Sequence, residues 1–340
     1  MVYGTFCKQL EQEKTKVMSD KYTCITLSDA SEQQTIQSWL PLEVKQLSRG
    51  EYQGNMRLIE NNSVTICAEQ QNVMVHKIGV IDDDYCTLSF ALASKTAIRF
   101  SEYTPANNAL FWLPSKTEFD VQVPAGAETV YFRFKQSTLL ERARAFCPEQ
   151  WDNDRLQMCH SLKQPALDVY TRYLLSAKSF QRGDSPEQMG AEASLSLMDK
   201  LLVAIYQASD DDFDFVNSHS LRLAKTWVYM AIDYINAALM QHVCPSIVDI
   251  CIELKVSQRK LQYSFKKILG ITPQNYLYKY RLNKVRAELL KSCCTLVTVT
   301  EVALYWHFWH LGRFSKDYQH LFGELPSATL KRAVPNSLGG

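Results

Sequence analysis

The side chains best suited to metal chemistry lie in one segment, WHFWHLGRFSKDYQHLFG at 306–323, which contains three of the seven histidines. His307 and His310 stand three residues apart, so a helix would place both imidazoles on one face. That spacing alone is weak evidence for a metal site. The ten cysteines form no Cys-x-x-Cys pair, and in a chain of 340 residues we expect them to be reduced and mostly buried. We predict no bound metal and no cofactor.

A second group of side chains is suited to reading DNA bases. In SQRKLQYSFKKILGITPQNYL at 257–277, apolar residues recur at helical spacing and would form one buried stripe. The opposite face would carry Arg259, Gln262, Tyr263 and Lys266. Arginine and glutamine can each make paired hydrogen bonds to the edges of guanine and adenine. The segment is therefore predicted to be a DNA-reading helix.

The charge distribution agrees with a polyanion-binding module at the C-terminal end. Residues 236–340 carry 14 Lys and Arg against 6 Asp and Glu, whereas residues 1–235 carry 23 against 30. The formal net charge of +1 conceals this asymmetry. Basic surfaces are common and often only solvated, so charge alone leaves DNA binding and a plain basic face as open alternatives.

An internal duplication decides between them. At a constant offset, the segment beginning at Ser257 matches the segment beginning at His310. The matched pairs are Leu261 and Phe314, Phe265 and Tyr318, Leu269 and Phe322, Gly270 and Gly323, Pro273 and Pro326, and Leu277 and Leu330. Each copy reads as helix, turn, helix, glycine and proline, with Trp309 as one extra residue in the second turn. The histidines then have structural positions: His307 in the turn, His310 at the helix cap and His320 near the helix end.

The duplication predicts two helix-turn-helix units joined by a rigid helix. Such a pair would present two recognition helices to successive major grooves, about 34 Å apart on one face of the DNA. We predict base contacts from the two recognition helices and phosphate contacts from cations nearby. The predicted base-contacting residues are Gln258, Arg259, Gln262 and Tyr263 in the first unit and Gly312, Ser315 and Lys316 in the second. The predicted phosphate-contacting residues are Lys266, Lys267, Lys279, Arg281 and Arg313.

The chain as a whole is predicted to be a multi-domain α+β protein. Residues 1–135 contain short β-branched and aromatic runs separated by turn residues, typical of a sandwich or barrel. Residues 136–208 show helical periodicity and could form a dimerisation surface, and 209–219 read as an acidic linker. Residues 220–334 form the DNA-binding domain, with units at 246–269 and 299–322. We expect no signal peptide, no membrane span and a cytoplasmic protein.

The C-terminal hundred residues resemble the AraC/XylS family of bacterial transcription regulators. The resemblance is carried by ILGITPQNYLYKYRLNKVRAELL at 268–290 and VTEVALYWHFWHLGRFSKDYQHLFGELPSATL at 299–330. Members usually have glycine in the turns, where this chain has Lys255 and His307, so both residues would adopt a left-handed backbone. The resemblance implies a cupin-like N-terminal barrel that binds an effector or dimerises the protein, and RNA polymerase as a partner. A subgroup resemblance to regulators of ethanolamine utilisation implies ethanolamine, with cobalamin, as the effector.

Two functions compete at this point. The first is a transcription activator whose N-terminal domain binds a small-molecule effector, with residues that the sequence does not identify. The second is a regulator controlled by oligomerisation or by a protein partner, without an effector. An enzyme is not expected, because the sequence shows no cluster of titratable residues, no phosphate-binding loop and no nucleophile motif. A pocket in the N-terminal domain would favour the first function, and a fully packed interior the second.

Overall fold

The computed structural model describes residues 21–60, 64–94, 98–100, 109–146, 160–163, 198–199, 202, 219–291 and 297–332. Most of the predicted helical extension and all but the last residue of the predicted linker lie outside these residues. No helix in the described ranges is long and apolar enough to cross a membrane.

The N-terminal domain consists of two antiparallel sheets. The seven-stranded sheet has the order β1-β3-β4-β10-β6-β8-β11, and the four-stranded sheet has the order β2-β5-β9-β7. The strands are β1 (Lys21–Leu27), β2 (Leu42–Gln46), β3 (Gly54–Glu60), β4 (Val64–Gln71), β5 (Val75–Val80), β6 (Tyr85–Ala93), β7 (Arg99–Phe100), β8 (Ala109–Leu113), β9 (Glu118–Val123), β10 (Glu128–Lys135) and β11 (His160–Lys163).

The two sheets enclose one apolar core. Val44, Val75 and Val121 of the four-stranded sheet share this core with Met56 and Cys67 of the seven-stranded sheet. Their sequence neighbours point to the opposite face, because successive side chains alternate along a strand. The prediction of a β-rich N-terminal domain is confirmed, but among the described strands the pairings form two open sheets and not a closed barrel.

Two local patterns do not give the structure that they suggest. Pro124-Ala125-Gly126 has the composition of a hairpin turn, and Gly126 adopts a left-handed backbone with φ of 74°, but the turn carries the chain from β9 in one sheet to β10 in the other. Residues 136–208, predicted to be a helical extension, contain the strand β11, which pairs with β8. Both outcomes depend on long-range pairing, which local periodicity does not report.

Seven of the nine described helices build the C-terminal domain. The helices are α1 (Glu32–Ile36), α2 (Gln136–Phe146), α3 (His219–Met240), α4 (Ile247–Glu253), α5 (Gln258–Leu269), α6 (Pro273–Lys291), α7 (Val299–Tyr305), α8 (Leu311–Phe322) and α9 (Pro326–Arg332). Helix α2 begins one residue before Ser137, so Ser137 lies in its first turn. The predicted all-helical double helix-turn-helix arrangement is confirmed.

Each helix-turn-helix unit has its own core. The first core gathers residues of α3, α4, α5 and the start of α6, including Leu261 and Phe265. The second gathers residues of the end of α6 with α7, α8 and α9, including Phe314 and Tyr318. Helix α6 passes from one core into the other, and Trp306 packs at the margin of both. The two units are therefore separate bodies that share one helix.

A buried guanidinium connects α6 to both neighbouring parts of the molecule. Arg286 forms an ion pair with Asp29 of the N-terminal domain and another, at 2.9 Å, with Glu324 between α8 and α9. The Arg286 and Asp29 side chains are each only 5% exposed. The guanidinium also lies 4.6 Å from the centre of the Phe322 ring. Arg286 thus holds three segments together from one position.

Replacing Arg286 by methionine should destabilise the protein strongly. Arg286→Met leaves Asp29 without its cation in a buried site, whereas Glu324 keeps its ion pair with Arg332 at 2.6 Å. Removal of one partner from a buried pair costs about 3–5 kcal/mol. Urea unfolding followed by circular dichroism measures the change. As a control, Arg313→Met removes a guanidinium that is 79% exposed, and should change the unfolding free energy by less than about 0.5 kcal/mol. Equal stability of the two variants would contradict this assignment.

Candidate nucleic-acid interface

The turn of each unit is built by the same local interactions. Ser246 caps α4 and Thr298 caps α7, and each exchanges hydrogen bonds with an acid three residues on, Asp249 or Glu301. These bonds lower the pKa of both carboxyl groups, so the acids stay charged at the positive helix N-termini. Lys255 and His307 carry the predicted left-handed turns, with φ of 52° and 63°. The duplicated sequence therefore gives duplicated turn geometry.

Helix α5 separates an apolar face from a polar one. Leu261, Phe265 and Leu269 are buried. The predicted base-contacting residues of this unit all lie on exposed surface, namely Gln258, Arg259, Gln262 and Tyr263, of which Tyr263 is 57% exposed. Ser257 caps the helix by accepting a hydrogen bond from the Lys260 amide at 3.3 Å. The first recognition helix is thus held by its buried apolar face, and its polar face is exposed to solvent.

Cations border this polar side. Lys266 is exposed, and Lys267 is half-buried with its ammonium 5.4 Å from the centre of the Tyr263 ring. Both stand about two turns from Arg259 along the helix. The arrangement can place positive charge beside a phosphate backbone while Arg259 points to the bases.

Helix α8 repeats the pattern with a flatter outer face. Phe314, Tyr318 and Phe322 are buried. Lys316 is exposed, and Ser315 is half-buried. Gly312 is also exposed, and a Cβ there would meet nothing within 4 Å. This face offers fewer long hydrogen-bonding side chains than α5, which suits backbone and methyl contacts more than base reading.

Three of the predicted phosphate-contacting cations already have partners within the chain. Arg313 lies 3.4 Å from Asp317 and remains 79% exposed, so it is still accessible. Lys279 instead donates to the Leu47 carbonyl. The pKa of Lys279 is lowered mainly by burial and to a lesser extent by the charge of Arg49. Arg281 donates to the Trp306 and His307 carbonyls at 2.9 and 2.6 Å. In this conformation Lys279 and Arg281 position the protein backbone, so we leave them out of the proposed phosphate contacts.

The histidines of the second turn have structural surroundings. Burial and the charges of Arg281 and His242 lower the pKa of His307, which keeps the ring neutral near pH 7. His310 stands at the N-terminal cap of α8 but makes no capping hydrogen bond with its side chain. No group of three or more potential metal ligands occurs within the described residues.

Three further residues join the surface beside those predicted. Lys255 is exposed at the first turn, and Lys260 is exposed with its ammonium 4.5 Å from the centre of the Trp227 ring. Trp309, the extra residue of the second turn, is 67% exposed. An exposed indole directly before a recognition helix is a natural contact for a thymine methyl or a sugar. In the sequence, the one-residue insertion in the second copy of the repeat could have identified Trp309 as a residue of this surface.

Comparisons with known proteins match this C-terminal domain. The family described as "Helix-turn-helix domain" matches residues 250–332. A probable thc operon regulatory protein of Rhodococcus erythropolis is 32% identical over 154 residues, which is 45% of this chain and 46% of that protein. XylDLEGF operon transcriptional activator 1 of Pseudomonas putida is 44% identical over 77 residues, 23% of each chain. The chain is therefore similar in sequence to these two operon regulators, and its C-terminal domain carries the match to the helix-turn-helix family.

The match to these two relatives spans less than half of their length. Among solved structures, an AraC-type regulator from Chromobacterium violaceum aligns at 24% identity and a TM-score of 0.30, over 34% of this chain and 97% of that one. The AraC-like activator CuxR aligns at 13% identity and a TM-score of 0.38, over 78% and 96%. TM-scores this low do not establish a shared arrangement of the whole chain. The relatives give no support to the ethanolamine subgroup.

Base contacts and phosphate contacts should give different results in binding measurements on this protein. Arg259→Ala should weaken binding by about 1–3 kcal/mol at one base pair and relax the preference there. Lys266→Ala should weaken all sequences about equally and reduce the slope of log K against log salt by about one. Titrations of specific and random duplexes at several salt concentrations measure both. Lys135→Ala, an exposed lysine of the N-terminal domain, is the control and should change neither.

If Arg259→Ala weakened specific and random duplexes equally, Arg259 would be a phosphate contact and its assignment as a base reader would be wrong.

Proposed function

We propose that this chain is a sequence-specific DNA-binding transcription regulator, most simply an activator. The observation that carries the proposal is the repeated recognition surface, in which α5 and α8 each bury an apolar stripe and expose a polar, basic face. Arg259, Gln262 and Tyr263 read one major groove, while Ser315 and Lys316 approach the next. Lys266, Lys267, Arg313 and the helix N-termini hold phosphates.

Its partners follow from that role. The target is double-stranded promoter DNA in the cytoplasm, where RNA polymerase is the machinery an activator must engage. The name of the Pseudomonas putida relative, a transcriptional activator, supports activation over repression. A homodimer is the simplest assembly, with a dimerisation surface in 136–208, most of which lies outside the described residues.

A cavity in the N-terminal domain favours control by a small-molecule effector over control by assembly alone. Its volume is about 100 Å³. Most of the wall is apolar and comes from the inner faces of both sheets, including Ile81, Phe111, Phe119 and Val121. The Oγ of Ser89, which lines the cavity, is buried and has no hydrogen-bond partner among the described residues. A ligand polar group would satisfy it.

The polar end of the cavity carries no net charge. Lys77 forms an ion pair with Glu69, and Gln37 donates to Glu69 at 2.6 Å and to the Tyr131 hydroxyl at 2.7 Å. Burial raises the pKa of Tyr131 well above its usual range, so the phenol remains protonated. The site therefore suits an uncharged, mainly apolar group no larger than about one ring, since a cavity of roughly 150 Å³ accommodates benzene. It suits neither ethanolamine, which is cationic near pH 7, nor the much larger cobalamin.

Selection of bound duplexes from a random library by the full chain tests the proposed function. We expect a bipartite consensus with two short elements about one helical turn (34 Å) apart. The element read by α5 should be the more sharply defined, because α5 presents the longer hydrogen-bonding side chains. Retention of DNA without any sequence enrichment would contradict sequence-specific regulation.

A thermal-unfolding experiment tests the effector site. Benzyl alcohol, benzoate and benzylamine share one ring and differ in charge, and a ligand that binds only the folded state raises the unfolding midpoint. Benzyl alcohol should give the largest rise, and Ala91→Leu, which adds a side chain inside the cavity, should abolish it. Val80→Leu, on exposed surface, is the control. No rise with any of the three, together with a dimer in solution, would favour the alternative regulator controlled by assembly.

A further inference from the structure

The outer face of the four-stranded sheet is polar and yet buried. On β5 and β9, His76, Asp120 and Gln122 alternate with the apolar residues of the core, and they are 0%, 2% and 7% exposed. Lys45 on β2 is 2% exposed. A polar strand face normally meets water. We call this surface, formed by Glu43, Lys45, His76, Arg99, Asp120 and Gln122, the docking face.

The C-terminal domain covers the docking face. The Lys45 ammonium lies 4.4 Å from the centre of the Tyr280 ring, and the His76 ring centre lies 6.0 Å from that of Tyr276. Both tyrosines belong to α6. Glu43 also pairs with Lys284 of the same helix at 2.9 Å. The sheet therefore packs along the helix that joins the two DNA-binding units.

The docking face also holds the C-terminal end of the first recognition helix. Gln122 donates through its side-chain amide to the Leu269 carbonyl at 2.9 Å. Arg99 donates to the Lys267 and Ile268 carbonyls at 3.1 and 3.3 Å. The last carbonyls of a helix have no partner within the helix. Here side chains of another domain supply those partners to α5.

The second recognition helix is held in the same way. The side-chain amide of Gln46 donates to the Leu321 carbonyl at 2.7 Å, and the Gly50 amide donates to that carbonyl at 3.1 Å. The backbone of residue 51 comes so close that a Cβ on Gly323 would lie 2.7 Å from the Glu51 nitrogen. The backbone of Gln46 is itself fixed by two hydrogen bonds, of 2.8 and 3.0 Å, to the Asn283 side chain.

Both recognition helices are thus tied at equivalent ends to one rigid sheet. Because the two units have separate cores and share only α6, their relative placement would otherwise depend mainly on that helix. We propose that Gln46 and Gln122 are positioning residues that fix the separation of α5 and α8, so that the N-terminal domain determines which half-site spacing the protein accepts. This inference rests on the proposed DNA-binding function.

The test compares spacing tolerance in the full chain. Gln46→Met with Gln122→Met keeps side-chain length and removes both donors, and Gln70→Met on exposed surface of β4 is the matched control. Binding is titrated against duplexes whose two half-sites are moved apart or together one base pair at a time. Wild type and the control should lose about tenfold or more when the spacing changes, because one helix then misses its bases. The double variant should bind the best spacing nearly as well and lose less than about threefold elsewhere.

Each outcome of the spacing titration either supports or overturns the inference. A double variant with the same sharp spacing profile as wild type would overturn the inference while leaving the DNA-binding function intact. Absence of specific binding by wild type at every spacing would overturn the function and the inference together. Gln122→Met alone removes one of the contacts to α5, leaves the Gln46 contact to α8 in place, and should broaden the profile to a smaller extent. It provides the comparison if the double variant does not fold, and an unchanged profile for it would likewise overturn the inference.

Discussion

The arrangement of the molecule depends on one helix whose polar side chains are directed into protein rather than water. Along α6, Lys279, Asn283 and Arg286 make contacts with the N-terminal domain, and Arg281 holds the second turn. Burying a cation is costly unless it is paired and hydrogen-bonded, and Arg286 meets that condition with Asp29 and Glu324. These contacts have a direction and a definite geometry, so they fix orientation more closely than apolar packing alone.

The two copies of the repeat share their local backbone structure but differ in their exposed side chains. The capping boxes, the left-handed turns and the closing glycines, Gly270 and Gly323, recur in both. The outer faces differ at matched positions: where α5 has Arg259, Gln262 and Tyr263, α8 has Gly312, Ser315 and Lys316. The turn and the buried stripe maintain the fold, so the exposed positions can differ between the two copies without disturbing it.

Prediction from sequence succeeded where the determinants are local. Helices α5 and α6 and the caps at Ser246, Ser257 and Thr272 are features that periodicity, side-chain capping and proline at the first turn specify locally. Prediction from sequence could not succeed where a residue's burial or hydrogen-bond partner comes from a segment distant in the chain. His76, Asp120 and Gln122 alternate with apolar residues, which predicts a solvent-exposed sheet face. This face is buried because the C-terminal domain packs against it. Lys279 and Arg281 look like surface cations until their carbonyl partners are in place.

In the proposed complex, α5 and α8 enter successive major grooves on one face of the same duplex. Methylation protection of guanine N7 on a selected site measures this directly, because N7 lies in the major groove. We predict two protected patches about one helical turn (34 Å) apart, with Arg259→Ala removing protection from one patch only. A single protected patch, or patches on opposite faces of the duplex, would contradict it.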